Sequence, residues 1–315
     1  MQGSRYTDRY SRGTGHPDTK KIWGQAVERL CERDHLTVDV ACSLFGHTRQ
    51  AYYQKKRDER EWIRRVNRII DAVSEIRHQD PGIGGYKLWL MTRRMFRHDW
   101  VPGRDQFLAL LRTFGYTLRR PKPRRTTNSN HRYRKYKNLI KGFIPTEPNT
   151  LWVSDITYID TSDGCCYLHL VTDAYSRKIV GWCLSETLHA TYTVKALEMA
   201  IESTGKSMLE GLIHHSDRGV QYCCDEYVNL LKDYSISISM TEDYNPTDNA
   251  IAERINGTLK TEVIYREQRF TGFADAERRI ASFIGFYNDR RPHSSIGMKV
   301  PSQVHQESGE QQRCW

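Results

Sequence analysis

The sequence predicts an α/β domain with a mixed sheet, preceded by all-α units. In residues 21–118 the apolar residues recur with a helical period, whereas from residue 148 strand-like runs separated by turns are followed by alternating helical and strand-like segments. Residues 1–20 and 306–315 lack such periods, and we expect a flexible arm and a polar tail. At 315 residues the chain is long enough for several domains, each with its own core.

Charge and cysteine content narrow the class of protein. The net charge of +10, from 48 basic and 38 acidic residues, favours a polyanionic partner such as nucleic acid, although many soluble proteins are mildly basic. The eight cysteines show no CxxC pair or zinc-ligand spacing, which favours free thiols in a reducing cytoplasm. No long apolar run or signal-peptide core occurs, so we expect a cytoplasmic protein without a membrane partner.

The first helical unit, residues 21–60, is predicted to contain three helices, with a glycine turn between the last two. Thr37 and Thr48 stand where N-caps of the second and third helices are expected. A helix, a glycine turn and a second helix with a basic end are typical of helix-turn-helix DNA-binding units, but they also occur in bundles that bind nothing. We predict DNA contacts from Arg49 and Gln50, with a plain bundle as the alternative.

The second helical unit, residues 61–118, has a strong apolar stripe but a weaker binding signal. Its first helix shows apolar residues at i, i+3, i+4, i+7 and i+10, and Asp80–Gly85 ends it. Further helices are predicted over Tyr86–Phe96 and from Pro102 to near Gly115. We predict a small helical DNA-binding domain here.

Residues 119–147 are predicted to form a basic linker. Arg119–Lys141 contains ten Lys or Arg residues and no acid, and its prolines disfavour a regular helix. Such a charge run is usually only a solvated segment. Here it separates candidate DNA-binding units from a group of carboxylates, so we expect it to follow DNA phosphates. The linker residues predicted to contact DNA are Arg124, Arg125, Arg132, Arg134 and Lys135.

The domain over residues 148–305 is predicted to be built on a mixed sheet. Leu151–Ile159, Cys165–Thr172 and Lys178–Leu184 read as three strands of an antiparallel meander. Helices then alternate with two further strands, and two helices follow. That order matches the ribonuclease-H-like arrangement.

Three carboxylates of this domain are candidates for a metal site. Asp155 lies inside an apolar strand, Asp217 where a later strand gives way to a glycine turn, and Glu253 in the first turns of a helix that is expected to begin near Asp248. Any trio of acids could be surface residues, but an unpaired acid in an apolar strand is costly. Carboxylate oxygens suit Mg²⁺, and two such ions can activate the attacking oxygen and stabilise the leaving oxygen of a phosphodiester. We predict two Mg²⁺ ions here, with Mn²⁺ able to substitute.

Four neighbours of these acids are predicted to contact DNA. His215 precedes the second acid by two residues and so shares its face on a strand; a purely structural histidine is the alternative. Asn249 and Lys260 share a helix face with Glu253, where Lys260 can grip DNA near the scissile phosphate. Arg291 is predicted to make a DNA or a core contact.

Several motifs together carry a family resemblance. They are Trp152, Asp155–Tyr158, Asp173–Gly181, His215, Asp217, Gly219, Gln221, Tyr222, Asp248–Ala250, Glu253, Lys260, Tyr287, Asn288, Arg291–His293 and Gly297. With these motifs, and with 35 residues between Asp217 and Glu253, the chain resembles insertion-sequence transposases with a DDE catalytic core. These belong to the retroviral-integrase superfamily, and the subgroup is the frameshift-fusion, copy-out/paste-in one.

The resemblance implies a function and partners. Asp155, Asp217 and Glu253 would be the catalytic triad of a Mg²⁺-dependent DNA transposase in the bacterial cytosol. That enzyme would cleave the ends of its insertion sequence, bind the terminal inverted repeats and target DNA, and join a 3′-hydroxyl to the target. Family members form dimers or higher assemblies on paired ends.

Two other functions share these residues, namely a catalytically silent DNA-binding regulator of the element and a hydrolytic nuclease. Some related enzymes also carry a leucine-rich helix from an upstream reading frame, and no heptad run of that kind occurs here. We therefore expect either the downstream-frame product alone or part of a longer fusion. The upstream-frame protein is then a further expected partner.

Overall fold

A computed structural model describes most of the chain. The described residues are 19–96, 100–118, 134–205, 208–242, 249–266 and 270–310, with side chains from residue 22 onward. Most of the expected arm and three linker arginines, Arg124, Arg125 and Arg132, lie outside them.

The chain divides into two compact units. The first unit comprises residues 1–76 and 84–118, and the second comprises residues 77–83 and 119–315. The first unit therefore combines the two helical units that the sequence predicts as separate domains.

The regular secondary structure in the described residues of the first unit is helical. Thr37 and Thr48 act as the predicted N-caps, since the Thr37 hydroxyl accepts from the Val40 N–H at 3.4 Å and the Thr48 hydroxyl accepts from the Ala51 N–H at 3.2 Å. Gly46, between the second and third helices, has φ +71°, which glycine adopts without a Cβ penalty. The helices are α1 Thr19–Arg33, α2 Val38–Ser43, α3 Arg49–Gln79, α4 Gly85–Met95 and α5 Arg104–Thr113.

Helix α3 runs through residue 60, where the sequence predicts a boundary between two helical units. It runs for 31 residues without interruption, because no glycine or proline occurs between Arg49 and Gln79. Its first half contributes Tyr52 to a core with Trp23 and Val27, and its second half contributes Val66 and Ile70 to a core with α5. The two predicted helical units thus share one helix.

The second unit contains a mixed five-stranded sheet in its described residues. The strand order is β3-β2-β1-β4-β5, in which β1 to β3 form the predicted antiparallel meander and β4 and β5 run parallel to β1. This order confirms the predicted ribonuclease-H-like α/β class. The strands are β1 Leu151–Thr161, β2 Gly164–Asp173, β3 Ile179–Ser185, β4 Ile213–Ser216 and β5 Ser237–Met240.

Helices cover both faces of this sheet. One core joins Trp152 of β1 to Leu197 and Tyr227 of the first helical layer, and another joins Leu168 of β2 to Phe283 of the second layer. The first layer is α6 Ala190–Thr204, α7 Val220–Cys223 and α8 Asp225–Asp233; the second is α9 Ala250–Leu259, a π-helical turn Lys260–Ile264 and α10 Phe273–Asp289. A 3₁₀ turn, Ser294–Ile296, and the short helix α11, Pro301–Val304, follow.

Two expectations from composition can be checked on the described residues. The seven cysteines among them are free thiols. A bilayer-spanning helix needs about 20 mostly apolar residues, and the described helices include none that is both that long and that apolar.

A buried charge cluster fixes the segment 77–83 to the second unit. Arg291 is only 2% exposed and donates two hydrogen bonds to Glu262, from Nε at 2.6 Å and from Nη2 at 2.7 Å. The carboxylate of Asp80, which is fully buried, lies 3.5 Å from the same guanidinium. A Cβ on Gly82 would lie 2.1 Å from the Glu262 Cα, so only glycine permits this approach. The packing therefore requires the cation and the glycine together.

Replacing Arg291 should destabilise the second unit strongly. We expect Arg291→Met to lower its free energy of unfolding by about 3–5 kcal/mol, because Glu262 and Asp80 stay buried without their cation. Urea unfolding monitored by circular dichroism measures this loss. As a control, Arg278→Gln breaks the exposed pair with Asp275 and should cost less than about 1 kcal/mol. Equal losses in the two variants would contradict a structural role for the buried cluster.

Candidate active site

The parallel pairing of β1 with β4 places two of the three candidate acids side by side. Val153 pairs with His215, and the same register continued by two residues sets Asp155 beside Asp217, which directly follows β4. Alternation along a strand gives Val153 and Asp155 the same face of β1. On that face Val153 packs with Ala252 of α9. Both acids therefore lie under the helix that carries Glu253.

The turn after β4 holds the second acid. The Gly219 N–H donates to Asp217 Oδ1 at 2.9 Å, and a Cβ on Gly219 would lie 2.9 Å from that same oxygen. The Tyr222 N–H then bonds the Gly219 carbonyl at 3.0 Å and begins α7. A side chain at position 219 would therefore have to displace the Asp217 carboxylate.

Asp155 is held by hydrogen bonds but is electrostatically unfavourable as an anion. The Asn256 side-chain amide donates to Oδ2 at 2.6 Å and the Ile156 N–H donates to Oδ1 at 2.9 Å. Burial, reinforced by the negative charge of Asp217, raises the pKa of Asp155 to about 7, while these hydrogen bonds and the charge of Lys260 oppose the rise. Adjacent carboxylates of this kind ionise together only with added positive charge. Hard oxygen donors in that situation fit a divalent cation.

Glu253 occupies the same helix face but stays apart from this pair. It lies between Asn249, whose amide donates to the Ser154 carbonyl at 3.1 Å, and Asn256, which bonds Asp155. Glu253 itself is exposed. Among the described side chains no three His, Cys, Asp or Glu residues are arranged to hold a metal ion. A third negative charge beside two others is unfavourable unless positive charge is added.

Three residues that we expected to contact DNA are buried. His215 is fully buried, and its Nδ1 lies 2.8 Å from the Ser239 hydroxyl. This contact matches the alternative of a purely structural histidine. Arg291 makes the core contact with Glu262 described above. Asn249 is 7% exposed, and its amide binds the β1 backbone. The structure therefore shows the structural alternative for His215, the core contact for Arg291 and a backbone contact for Asn249. Contacts of these three residues with DNA stay predictions.

The other described candidates are accessible. Arg49 and Gln50 are exposed at the start of α3, Arg134 and Lys135 are exposed beside the sheet, and Lys260 is half-buried near Asp155. The remaining linker candidates, Arg124, Arg125 and Arg132, lie outside the described residues.

The last part of the linker is fixed along the edge strand β5. The Lys137 carbonyl accepts from the Met240 N–H at 3.3 Å, and the Leu139 N–H donates to the Ser239 hydroxyl at 2.9 Å. Lys141 forms an ion pair with Glu242 at 2.5 Å. The basic segment is therefore ordered against the sheet from about residue 134 onward, which its charge pattern alone did not predict.

Asn256 is the residue of this site to which the sequence assigned no role. Asn256 follows Glu253 by three residues and therefore lies on the helix face that is predicted to carry this acid. That spacing was the only signal for its role in the sequence. Its partner, Asp155, is 101 positions away in the chain, so the contact depends on the tertiary packing of α9 on β1.

Comparisons with known proteins agree with this geometry. Residues 145–246 match one family model described as an integrase core domain, and residues 234–301 match a second with the same description. The uncharacterized 31 kDa protein of insertion element IS600 from Shigella sonnei is 33% identical over 83% of this chain and 96% of its own length. The putative transposase of IS986/IS6110 from Mycobacterium tuberculosis is 32% identical over 76% of this chain and 87% of its own length.

A third relative matches a larger share of the chain. The transposase of IS629 from Shigella sonnei is 29% identical over 88% of this chain and 90% of its own length. Together with the mixed sheet and the paired acids, these matches identify the chain: it belongs to the insertion-sequence transposases of the retroviral-integrase superfamily.

Proposed function

We propose that this transposase cleaves the ends of its own insertion sequence and joins a 3′-hydroxyl to target DNA by two-metal-ion transesterification. In the joining step, the 3′-hydroxyl oxygen bonds to a target phosphorus, and the bond from that phosphorus to its bridging 3′ oxygen breaks. The observation that supports this proposal best is the carboxylate pair of Asp155 and Asp217 beneath α9.

The residues of the chain have separate tasks in this reaction. Asp155, Asp217 and Glu253 would hold the cations, and Asn256 keeps the Asp155 carboxylate in place through its 2.6 Å hydrogen bond. Bound Mg²⁺ supplies activation of the attacking oxygen and stabilisation of the leaving oxygen. Lys260, half-buried at the end of α9, offers a positive charge to a DNA phosphate near the acids.

DNA recognition is assigned to the helices and the linker. The start of α3 has the position of a recognition helix, whose N-terminal residues read base edges, and there Arg49 and Gln50 would contact the terminal inverted repeats. The linker arginines and Lys135 would follow the phosphates. As in related transposases, pairing of the two ends would require a dimer or a larger assembly, with the upstream-frame protein as a further partner.

Replacing the acids tests the enzyme against a silent regulator. We expect Asp155→Asn, Asp217→Asn and Glu253→Gln each to reduce strand joining at least about 100-fold, because each loses a metal-holding charge, while binding to element ends stays unchanged. Joining is measured with a labelled element-end duplex, a target plasmid and Mg²⁺. Asp160→Asn, an exposed acid on the same strand, serves as the control and should join normally.

Each alternative function gives a different result in that assay. A regulator would bind the ends without any joining by the unmodified protein. A hydrolytic nuclease would cut DNA but leave no covalent product with the target. Normal joining by Glu253→Gln would remove that residue from the triad and leave the other assignments in place.

The raised pKa of Asp155 predicts a dependence of stability on pH. Its folded-state pKa of about 7 lies above the ordinary value of 3.8, so between these values the folded chain binds the additional proton. Without a divalent cation, stability should therefore fall as the pH rises from about 4 to about 7, and Asp155→Asn should remove this part of the loss.

Thermal unfolding in EDTA across that pH range measures the effect. Added Mg²⁺ at pH 7.5 should raise the melting temperature of the unmodified protein more than that of Asp155→Asn. Identical pH profiles for the two proteins would contradict the assignment of the strained carboxylate to Asp155. Asp160→Asn controls for the loss of one negative charge.

A further inference from the structure

The continuity of α3 brings together arginines that the sequence divides between two predicted domains. With about 3.6 residues per turn, five arginines of this helix fall within an arc of about 100°. All five are exposed. We call them the arginine row: Arg49, Arg57, Arg60, Arg64 and Arg68.

The row is a uniformly positive surface between Arg49 and Arg68. Tyr53 lies within the same arc, and the Arg49 guanidinium stands 5.6 Å from its ring centroid. The nearest acid, Glu61, lies beside the arc and forms an ion pair with Arg65, which is outside the row. Among the described residues, neither Arg60 nor Arg64 has an acidic partner. The charge of the row is therefore available to a partner molecule.

The row has a fixed direction and a defined end. Val66, Ile69, Val73 and Ile76 bury the opposite side of the helix, so α3 cannot turn the arginines inward. On the row's own face the next charged residue is Asp71, which is exposed and ends the positive surface. At about 1.5 Å per residue, the row is about 28 Å long, equivalent to about eight base-pair steps of duplex DNA.

We propose that four members of the arginine row, Arg57, Arg60, Arg64 and Arg68, bind the phosphate backbone of duplex DNA next to the bases read by Arg49 and Gln50. This inference rests on the proposed function, in which the first unit binds the element ends. The row contains five positive charges, one aromatic side chain and no aliphatic side chain. The cores of protein–protein interfaces are depleted of charged residues, so this composition fits a polyanion better than a protein partner. The helix is then a base-reading element at its start and a backbone-binding element over its next three turns.

The experiment measures binding of the full chain to DNA as a function of salt. Arg57→Gln, Arg60→Gln, Arg64→Gln and Arg68→Gln are compared singly and combined, on a duplex from the end of the insertion sequence and on a random duplex of equal length. Each substitution should reduce the log–log salt slope by about 0.9, because one phosphate contact is lost. The reduction should be the same on both duplexes, since phosphate contacts carry no sequence information.

Two controls keep the charge loss constant. Arg29→Gln removes an exposed arginine from α1 of the same unit. Arg65→Gln removes a half-buried arginine from α3 that lies outside the row. Both should leave the slope close to that of the unmodified chain. Circular dichroism establishes that each variant is folded. A slope change for Arg29→Gln as large as that for Arg64→Gln would show an effect of net charge alone and overturn the proposal.

The other outcomes are equally distinct. Unchanged slopes for all row variants would overturn the inference while leaving end recognition intact, provided that Arg49→Ala and Gln50→Ala still weaken binding to the element end. If those two variants also bind normally, the proposed role of the first unit fails as well. Normal DNA binding together with lost self-association in sedimentation would make the row a protein interface and overturn the proposal.

Discussion

The parallel register between β1 and β4 is the constraint on which the candidate site depends. It sets Asp155 beside Asp217 whether or not a cation is present, because the pairing is fixed by backbone hydrogen bonds and by the buried residues on both strands. Two like charges are thereby held together in a poorly solvated place, which raises the pKa of Asp155 to about 7. The fold offsets this cost only in part, with the Asn256 amide, one backbone N–H and the charge of Lys260. Because a pair of acids in such a place favours added positive charge, it is suited to bind a cation.

Helix α9 is the second element that the site needs, and it is fixed at both ends. Near its start the Asn249 amide is bonded to the β1 backbone, and beyond its end Glu262 is bound by Arg291. Between these anchors lie Glu253, on the exposed part of the face, and Asn256. Rotation of the helix would break both anchors. In the proposed function, Glu253 would reach the other two acids through its own side-chain torsions or through a local change in the first turn of α9.

How much of the fold and of the candidate site could be predicted from the sequence depends on how far apart the interacting residues lie along the chain. The meander, the strand that precedes Asp217 and the caps Thr37 and Thr48 follow from patterns within a few residues, and the structure agrees with them. The acids themselves stood out by position and by family resemblance. The choice between a DNA contact and a structural role for His215 and Arg291 could not be made in this way, because their partners, Ser239 and Glu262, are distant in the sequence.

The length of α3 was misjudged for a different reason. Its apolar residues serve one core before residue 60 and another after it, and no residue between Tyr52 and Val66 is buried. An apolar period with such a gap looks like two shorter helices. The absence of glycine and proline between Arg49 and Gln79 was the better guide.

The distribution of charge links the cation requirement to DNA binding. The chain has a net charge of +10, and exposed arginines and lysines lie on α3 and beside β5. The candidate active site instead places two acids together, with the charge of Lys260 acting on Asp155. The basic surfaces attract a phosphodiester backbone to the protein over about a Debye length. At the site itself the approaching phosphate would meet two carboxylates and be repelled. Bound divalent cations would offset this repulsion, so substrate and metal should bind cooperatively rather than independently.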